Sequence, residues 1–153
     1  MKKVNWKVLG VSLFIVLVVS FIGGLFTDTT GWYNSVKPSI TPPNYVFPIV
    51  WTILFIMIGI SIYFAWISSK NKQKNMVITL FSINLILNIL WSFIFFTLKN
   101  PMLAFFELIL LWISILILVI QLYKVNKIAS WLLVPYLIWV SFAGILTYII
   151  AFS

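Results

Sequence analysis

The chain has 153 residues, of which 63% are hydrophobic and 8% are charged, and its net charge is +8. A soluble domain carries about 25% charged residues, so this composition excludes an ordinary soluble fold. Cysteine and histidine are both absent, which excludes disulfides, zinc sites built on those ligands, and the Ser–His–Asp or Cys–His arrangements of nucleophilic catalysis. We therefore expect no catalytic residues, no metal site and no required cofactor.

Five apolar runs, each about as long as a bilayer is thick, follow one another along the chain. They cover roughly residues 8–26, 46–68, 76–97, 102–123 and 129–152. Because backbone groups in lipid must be satisfied within their own segment, each run is predicted to be a helix. The sequence therefore predicts an all-α integral membrane protein, a single domain over residues 1–153 with five transmembrane helices.

The lysines divide unevenly between the two sides of these spans. Two of them, Lys37 and Lys99, fall on one side, and the other side carries Lys2, Lys3, Lys7, Lys70, Lys72, Lys74, Lys124 and Lys127. Since cytoplasmic loops collect lysine, this bias predicts a cytoplasmic amino terminus and an external carboxyl terminus, and it is typical of a prokaryotic plasma membrane. Contact with anionic lipid accounts for the basic charge better than nucleic acid does, because no loop holds an arginine-rich cluster.

The connection between the first two spans, residues 27–45, is long for a compact domain. It is rich in residues that stiffen a backbone or pack against a surface: Gly31, Trp32, Tyr33, Pro38, Pro42, Pro43 and Tyr45. Proline restricts the backbone, and aromatic rings give a loop something to bury. We expect an ordered cap over the helix ends.

Polar groups inside the spans are informative because each is costly there. Asn84 and Asn88 are four residues apart and share one helix face, with Trp91 on the same side. The asparagines serve either to line a cavity or to hydrogen-bond between helices. Glu107, in the fourth span, is either a proton carrier or a structural acid.

Two further pairs at helical spacing are aromatic or small. Trp51 and Phe55 begin the second span, and Trp139 and Ala143 lie in the fifth. Tryptophan near a span end is also typical of the interfacial belt, so spacing alone leaves belt, packing and ligand-binding roles open for both indoles.

Ser20 and Gly24 are four residues apart in the first span and form a small-xxx-small pair. Such a pair lets helices approach closely, either within the bundle or in a homodimer.

Three groups of residues, in order along the chain, resemble one family. The first group is Gly31-Trp32-Tyr33, Lys37-Pro38, Thr41-Pro42-Pro43, Val46-Phe47-Pro48 and Val50-Trp51-Thr52. The second is Leu87-Asn88, Leu90-Trp91-Ser92 and Phe95-Phe96. The third is Leu132-Leu133-Val134-Pro135-Tyr136, Trp139-Val140 and Phe142-Ala143. This ordered set resembles the translocator protein (TspO/MBR) family, whose members are also called tryptophan-rich sensory proteins or peripheral benzodiazepine receptors.

The resemblance implies a five-helix bundle whose first loop folds over a pocket. Its members bind porphyrins such as protoporphyrin IX and haem, sterols in some lineages, and synthetic isoquinolines and benzodiazepines. Carried over to matching positions, and joined to the faces described above, it gives the candidate ligand-binding residues Trp32, Pro42, Pro43, Trp51, Phe55, Asn84, Asn88, Trp139, Ala143 and Leu146.

Four positions depart from the family pattern. Asn84 stands where many members have glutamine, and Phe55 where tyrosine is frequent. Ile40 and Thr147 replace a usual aromatic residue and a common asparagine, respectively.

We expect the partners to be the lipid bilayer and a tetrapyrrole or other planar hydrophobic ligand, with the protein acting as a sensor, scavenger or regulator. The alternatives are a transporter of such ligands, coupled to protons through Glu107, and a light-dependent porphyrin-degrading activity at the tryptophans. An enzyme with a dedicated acid–base site is not expected.

Overall fold

The structure, a computed structural model, describes residues 3–153. Lys2, one of the lysines used to predict the orientation, lies outside the described residues. The helices are α1 (Trp6–Phe26), α2 (Gly31–Val36), α3 (Val46–Ser68), α4 (Asn71–Ser92), α5 (Pro101–Tyr123), α6 (Lys127–Trp131) and α7 (Val134–Phe152). A π-helical turn, Phe93–Thr97, continues α4.

Five helical segments are long and apolar enough to cross a membrane. They are Trp6–Phe26, Val46–Ser68, Asn71–Thr97, Pro101–Tyr123 and Lys127–Phe152. Between residues 3 and 153 every regular element is helical and none is a strand, so the predicted all-α architecture is confirmed.

The third and fifth spans differ most from the predicted ones. The third helix begins at Asn71, five residues before the predicted start, because the Gln73 side chain accepts a hydrogen bond from the Lys70 backbone N–H at 2.9 Å and caps a turn that lies beyond the apolar run. The fifth span is broken between Trp131 and Val134. Pro135 sits at the start of α7, where its missing N–H is tolerated, so the chain restarts a helix there.

The bundle is closed at one end and parted at the other. Helix α5 packs on α4, α6 and α7, and α1 packs on α3 and α4. Helix α3 reaches the last span chiefly through α6, where Ser61 Oγ donates to the Ala129 carbonyl at 2.7 Å. At the other end α3 and α7 flank an open space.

One end of the bundle carries most of the lysines. The described ones there are Lys3, Lys7, Lys70, Lys72, Lys74, Lys124 and Lys127. Hydrogen bonds join segments distant in sequence at this end, from the Asn5 N–H to Tyr63 Oη at 3.2 Å and from Asn126 Nδ2 to Ser68 Oγ at 2.8 Å. We call it the lysine-rich end. The opposite end is the lid end, named for residues 27–45, the lid.

Helices α1 and α3 meet closely at Gly59. A Cβ added there would lie 2.8 Å from Leu13 Cδ2 and 3.0 Å from Val16 Cγ2, which is closer than side chains normally approach. Gly59 is fully packed and sits midway along α3, so this contact holds the two helices together between the two ends of the bundle.

Candidate functional site

A cavity of about 380 Å³ opens between α1, α3, α4 and α7 at the lid end. This volume lies within the range of small-molecule sites. Its wall is dominated by aromatic side chains: Tyr33, Phe47, Trp51, Phe55, Trp91, Phe95, Phe96 and Trp139. The lining residues exposed to the surroundings include Gly24 of α1 and Thr52 of α3, so the cavity is open along these two helices.

The indoles of α3 and α7 lie on this wall within one web of ring contacts. Trp139 meets Phe47 edge-on, with ring centroids 5.9 Å apart. Trp51 packs on Phe55 at 5.6 Å and edge-on against Tyr136 at 6.1 Å. Edge-to-face and tilted pairs of this kind fix ring orientations, so both indoles are held in place at the cavity.

The π-helical turn supplies the wall on the α4 side. Its widened geometry is marked by a 3.0 Å hydrogen bond from the Leu98 N–H to the Phe93 carbonyl, five residues back. Trp91 stacks on Phe95 with centroids 5.0 Å apart and planes 15° apart, and Phe95 meets Phe96 at 4.9 Å. Such turns are common at functional sites.

A directed chain of hydrogen bonds runs from the core to the cavity. It starts at the Leu111 carbonyl, which only accepts, and to which Ser114 Oγ donates at 2.7 Å. Ser114 Oγ therefore accepts from Asn84 Nδ2, at 2.8 Å. The Asn84 oxygen then accepts from Tyr136 Oη at 3.3 Å, and Tyr136 Oη accepts from Asn88 Nδ2 at 2.9 Å. Each hydroxyl has one proton to donate, and the Leu111 carbonyl can only accept. That carbonyl therefore sets the donor-to-acceptor direction of the bonds that follow.

This chain determines which atom Asn88 presents. Its amide nitrogen is engaged by Tyr136, and Asn88 lines the cavity, so its amide oxygen is the acceptor left for a guest. One donor also lacks a partner: the Trp91 indole N–H is buried and has no acceptor among residues 3–153. The cavity is thus apolar apart from a small number of placed polar groups, as ligand pockets usually are.

The lid covers the cavity through one buried side chain. Tyr33 of α2 is only 4% exposed and contacts Phe96 at 5.6 Å, Phe95 at 6.1 Å and Phe47 at 6.2 Å. Burial raises the pKa of the Tyr33 phenol above its ordinary value of 10.0. Its docking therefore favours the neutral phenol.

The two ends of the lid are joined to each other. Asn44 Nδ2 donates to the Thr29 carbonyl at 2.9 Å and to Asn34 Oδ1 at 3.1 Å, and Asn44 Oδ1 accepts from Lys37 Nζ at 3.1 Å. Compact surface loops with joined ends often carry function. The predicted ordered cap is therefore a closed loop with a short helix, held together by a single asparagine.

The turn into the lid is fixed by an acid. The Asp28 carboxylate accepts hydrogen bonds from the Thr30 hydroxyl at 2.5 Å and from the Thr30 N–H at 2.8 Å. Those hydrogen bonds hold the pKa of Asp28 below its ordinary value of 3.8.

Comparison with known proteins shows what kind of chain this is. The TspO/MBR family profile matches residues 12–152. The chain belongs to the TspO/MBR family. It is 43% identical over 141 residues to the tryptophan-rich protein TspO of Chlorobaculum tepidum, which covers 88% of this chain and 87% of that protein.

Relatives extend to archaea and animals. The chain is 39% identical over 142 residues to the tryptophan-rich protein TspO of Archaeoglobus fulgidus, with 91% of this chain and 92% of that protein covered. It is 31% identical over 133 residues to the translocator protein of Homo sapiens, with 84% and 79% covered.

The structure brings six of the ten candidate residues of this TspO/MBR protein together. The six that line the cavity are Trp51, Phe55, Asn88, Trp139, Ala143 and Leu146. Asn84 lies beneath Asn88 and is fully buried. Asn84 shares a helix face with Asn88 but lies one turn deeper. It therefore takes part in the hydrogen-bond chain and does not reach the cavity.

Three candidates in the lid do not reach the cavity wall. Pro42 and Pro43 lie in the segment between α2 and α3. Trp32 is half-buried and contacts Phe95 edge-on at 5.5 Å. Its neighbour Tyr33 takes the inward position, since adjacent residues of a helix point in different directions.

Sequence reasoning missed part of the wall. Ser20, Gly23 and Gly24 of α1 line the cavity, and a Cβ on Gly24 would meet nothing within 4 Å. The small residues thus leave room for the cavity. The signal that existed was the Gly23-Gly24 pair inside an apolar run.

Glu107 does not line the cavity. It is 6% exposed, and both of its carboxyl oxygens are buried without a hydrogen-bond partner in the described part of the chain. The structural role considered for it, an acid bonded to a neighbour, therefore has no bonding partner there, and the proton-carrier role stays a prediction.

Proposed function

We propose that this TspO/MBR protein binds porphyrin- or haem-type tetrapyrroles in the lid-end cavity and acts as a sensor or scavenger of them. The observation that carries the proposal is the set of aromatic side chains around one cavity, with Trp51 and Trp139 fixed on its wall. A porphyrin is a flat, rigid aromatic plate, and ring contacts with such a plate add about 0.5–1.5 kcal/mol each beyond burial.

The polar groups have matching roles. A porphyrin carries its two carboxylates at one edge, which would lie at the open, lid-facing side, since Lys37 is the one lysine of the lid. In a free-base porphyrin the Asn88 oxygen would accept from a pyrrole N–H, a group that haem lacks. Histidine and cysteine are absent from the sequence, so the strong axial ligands of haem iron are missing and binding rests on shape and stacking.

The test is a titration of purified protein with protoporphyrin IX, followed by porphyrin absorbance so that the reporter does not depend on the mutated residues. Trp51→Phe/Trp139→Phe is expected to weaken binding about tenfold, because two indole faces are reduced to smaller rings. The matched control is Trp6→Phe/Trp131→Phe, since Trp6 and Trp131 are 73% and 63% exposed away from the cavity.

Equal affinities in the wild type and in Trp51→Phe/Trp139→Phe would contradict the site assignment. A haem complex whose visible spectrum shows strong axial ligation would contradict the stacking mechanism. Haem is therefore titrated alongside the free-base porphyrin.

Light-dependent breakdown of the porphyrin is an alternative activity of the same site, favoured by the three indoles on its wall. The binding titrations are run in the dark for this reason. Illumination then tests the alternative: bleaching that is as fast in Trp51→Phe/Trp139→Phe as in the wild type would contradict it.

Transport is the second candidate, and it is favoured by the Glu107 carboxyl, which is buried inside the bundle without a hydrogen-bond partner among residues 3–153. An intramembrane acid is costly and is often functional. Uptake of porphyrin into sealed vesicles should then respond to a pH gradient and disappear in Glu107→Gln. Binding without flux would leave the sensor or scavenger.

We also propose that the lysine-rich end faces the cytoplasm. The sequence has no native cysteine, so single-cysteine variants can be labelled without background. Ser39→Cys in the lid should react with a membrane-impermeant maleimide on whole cells, whereas Asn71→Cys should react only after lysis. The reverse pattern would invert the topology.

A further inference from the structure

A second concavity lies at the lysine-rich end and shares no residue with the cavity. It has a volume of about 410 Å³ and is lined by α1, α3 and α4. Aliphatic side chains dominate its wall, and several of them are exposed on the outside of the bundle, including Val11 at 59%, Ile15 at 41% and Ile78 at 52%. We call it the groove, because it is open to the surrounding lipid.

The groove runs along the depth of one leaflet. Its α1 wall extends from Lys7 to Ile15, which is about 12 Å along a helix that rises 1.5 Å per residue. Half of the hydrocarbon core is about 15 Å thick. The groove has one hydroxyl on α1, and this group already has a hydrogen-bond partner, because Ser12 Oγ donates to the Val8 carbonyl at 2.9 Å. The groove therefore matches the length and chemistry of an acyl chain.

Two ammonium groups stand at its mouth. Lys7 lines the groove directly. The Lys74 ammonium lies over the indole of Trp66, 4.9 Å from the ring centroid, and Trp66 is also part of the groove wall. This position is the level of the lipid head groups, since both lysines sit at the first turn of a helix that enters the apolar layer.

The protein supplies no counter-ion for these charges. The sequence has two acidic residues, Asp28 and Glu107. Asp28 lies at the start of the lid, and Glu107 is buried in α5. The anion at the groove mouth must therefore come from outside the chain.

We propose that the groove is a binding site for an anionic glycerophospholipid, with one acyl chain between α1 and α4 and the phosphate between Lys7 and Lys74. Basic pockets between transmembrane helices at a lysine-rich surface hold acidic head groups in this way. The site is independent of the lid-end cavity, so it stands or falls separately from tetrapyrrole binding.

The first experiment is native mass spectrometry of delipidated protein titrated with phosphatidylglycerol and with phosphatidylcholine of the same chains. The wild type should prefer phosphatidylglycerol. Lys7→Gln/Lys74→Gln should lose about 30-fold in affinity for it, roughly fivefold per lysine, and should bind phosphatidylcholine unchanged.

The matched control is Lys124→Gln/Lys127→Gln, which removes the same charge from the same end at residues that do not line the groove. The control should keep the wild-type preference. An equal loss in both double variants would mean that the lipid responds only to surface charge, and no loss in Lys7→Gln/Lys74→Gln would remove the head-group site. Either result overturns the proposal.

The second experiment locates the acyl chain. Phosphatidylglycerol with a diazirine on its acyl chain should cross-link to peptides that contain Val11, Ile15 or Ile78, and Ser82→Phe, which fills the groove from α4, should abolish these cross-links. Cross-links elsewhere would overturn the proposal, as would complete competition by glycerol phosphate alone. Ready disulfide formation between two chains of the single-cysteine variant Ile78→Cys would assign the groove to a second copy instead, since the chain has no native cysteine.

Discussion

The lid-end cavity and the groove are made by the same three helices, α1, α3 and α4, and their volumes are close, about 380 Å³ and 410 Å³. Their chemistry is nevertheless different. The cavity is aromatic, receives a fourth wall from α7 and is covered by the lid, whereas the groove is aliphatic, lacks both of these and carries its charges at the rim. The helices provide the space, and the additional elements determine whether that space suits a bound guest or a membrane lipid.

Filling the cavity should have the largest effect and should separate the two regions most clearly. Ala143 lines the cavity on α7, so Ala143→Trp is expected to abolish protoporphyrin IX binding in the absorbance titration and to leave phosphatidylglycerol binding unchanged. The control is Ile145→Trp on the lipid face of α7, where the native side chain is 54% exposed. Full porphyrin affinity in Ala143→Trp would mean that the guest binds elsewhere.

A change at Gly59, where α1 and α3 meet between the cavity and the groove, should affect both regions. Gly59→Ala places a methyl group 2.8 Å from Leu13 Cδ2 and 3.0 Å from Val16 Cγ2, so these α1 side chains or the helix itself must shift. Overpacking of this kind costs about 1–3 kcal/mol. A lower thermal midpoint and weaker binding of both porphyrin and phosphatidylglycerol are expected, while Gly10→Ala, with nothing within 4 Å of the added Cβ, should behave as the wild type.

Breaking the hydrogen-bond chain should affect the cavity alone. Tyr136→Phe leaves Asn88 Nδ2 and Asn84 Oδ1 without partners, at a cost of about 1–3 kcal/mol for buried groups. The freed Asn88 amide can then turn, so porphyrin affinity should fall several-fold without a change at the groove. Unchanged stability and affinity would show that Asn88 is oriented by something else.

The smallest effect concerns the lid and appears only at high pH. Because burial raises the pKa of Tyr33 above 10.0, its contribution to lid docking is fully present below pH 10 and is lost as the pH rises through the higher folded-state value. Limited proteolysis of the lid measures this loss of docking. Cleavage should increase above about pH 10 in the wild type, and Tyr33→Phe should remove this dependence.

Much of the fold could be predicted from hydropathy, because membrane burial requires long apolar helices with satisfied backbones. The residual errors arise where helices leave the apolar layer. The cap at Gln73 depends on one local hydrogen bond, and the break before Pro135 depends on a missing backbone N–H. Hydropathy reports neither.

The candidate site could be predicted less completely. Helical spacing left the roles of Trp51 and Trp139 open, whereas the family resemblance pointed to both, and they do share the cavity. Spacing does not give depth, however, so Asn84 and Asn88 looked equivalent although only Asn88 reaches the cavity. The groove had no signal at all, since residues such as Val11 and Ile78 are ordinary lipid-facing side chains and only the separation of the helices makes a groove of them.

The hydrogen-bond chain that ends at the Leu111 carbonyl gives the cavity a fixed polarity. A hydroxyl or an imidazole at the position of Asn88 would give or take a proton as its guest required. The Asn88 oxygen has no such choice, because turning the amide over would require the single Tyr136 hydroxyl proton for Asn88 and would leave the Asn84 oxygen without its donor. Two guests of identical shape, one offering a hydrogen and the other a lone pair at that point, are therefore unequal to this protein, and the difference is set by an atom that neither of them touches.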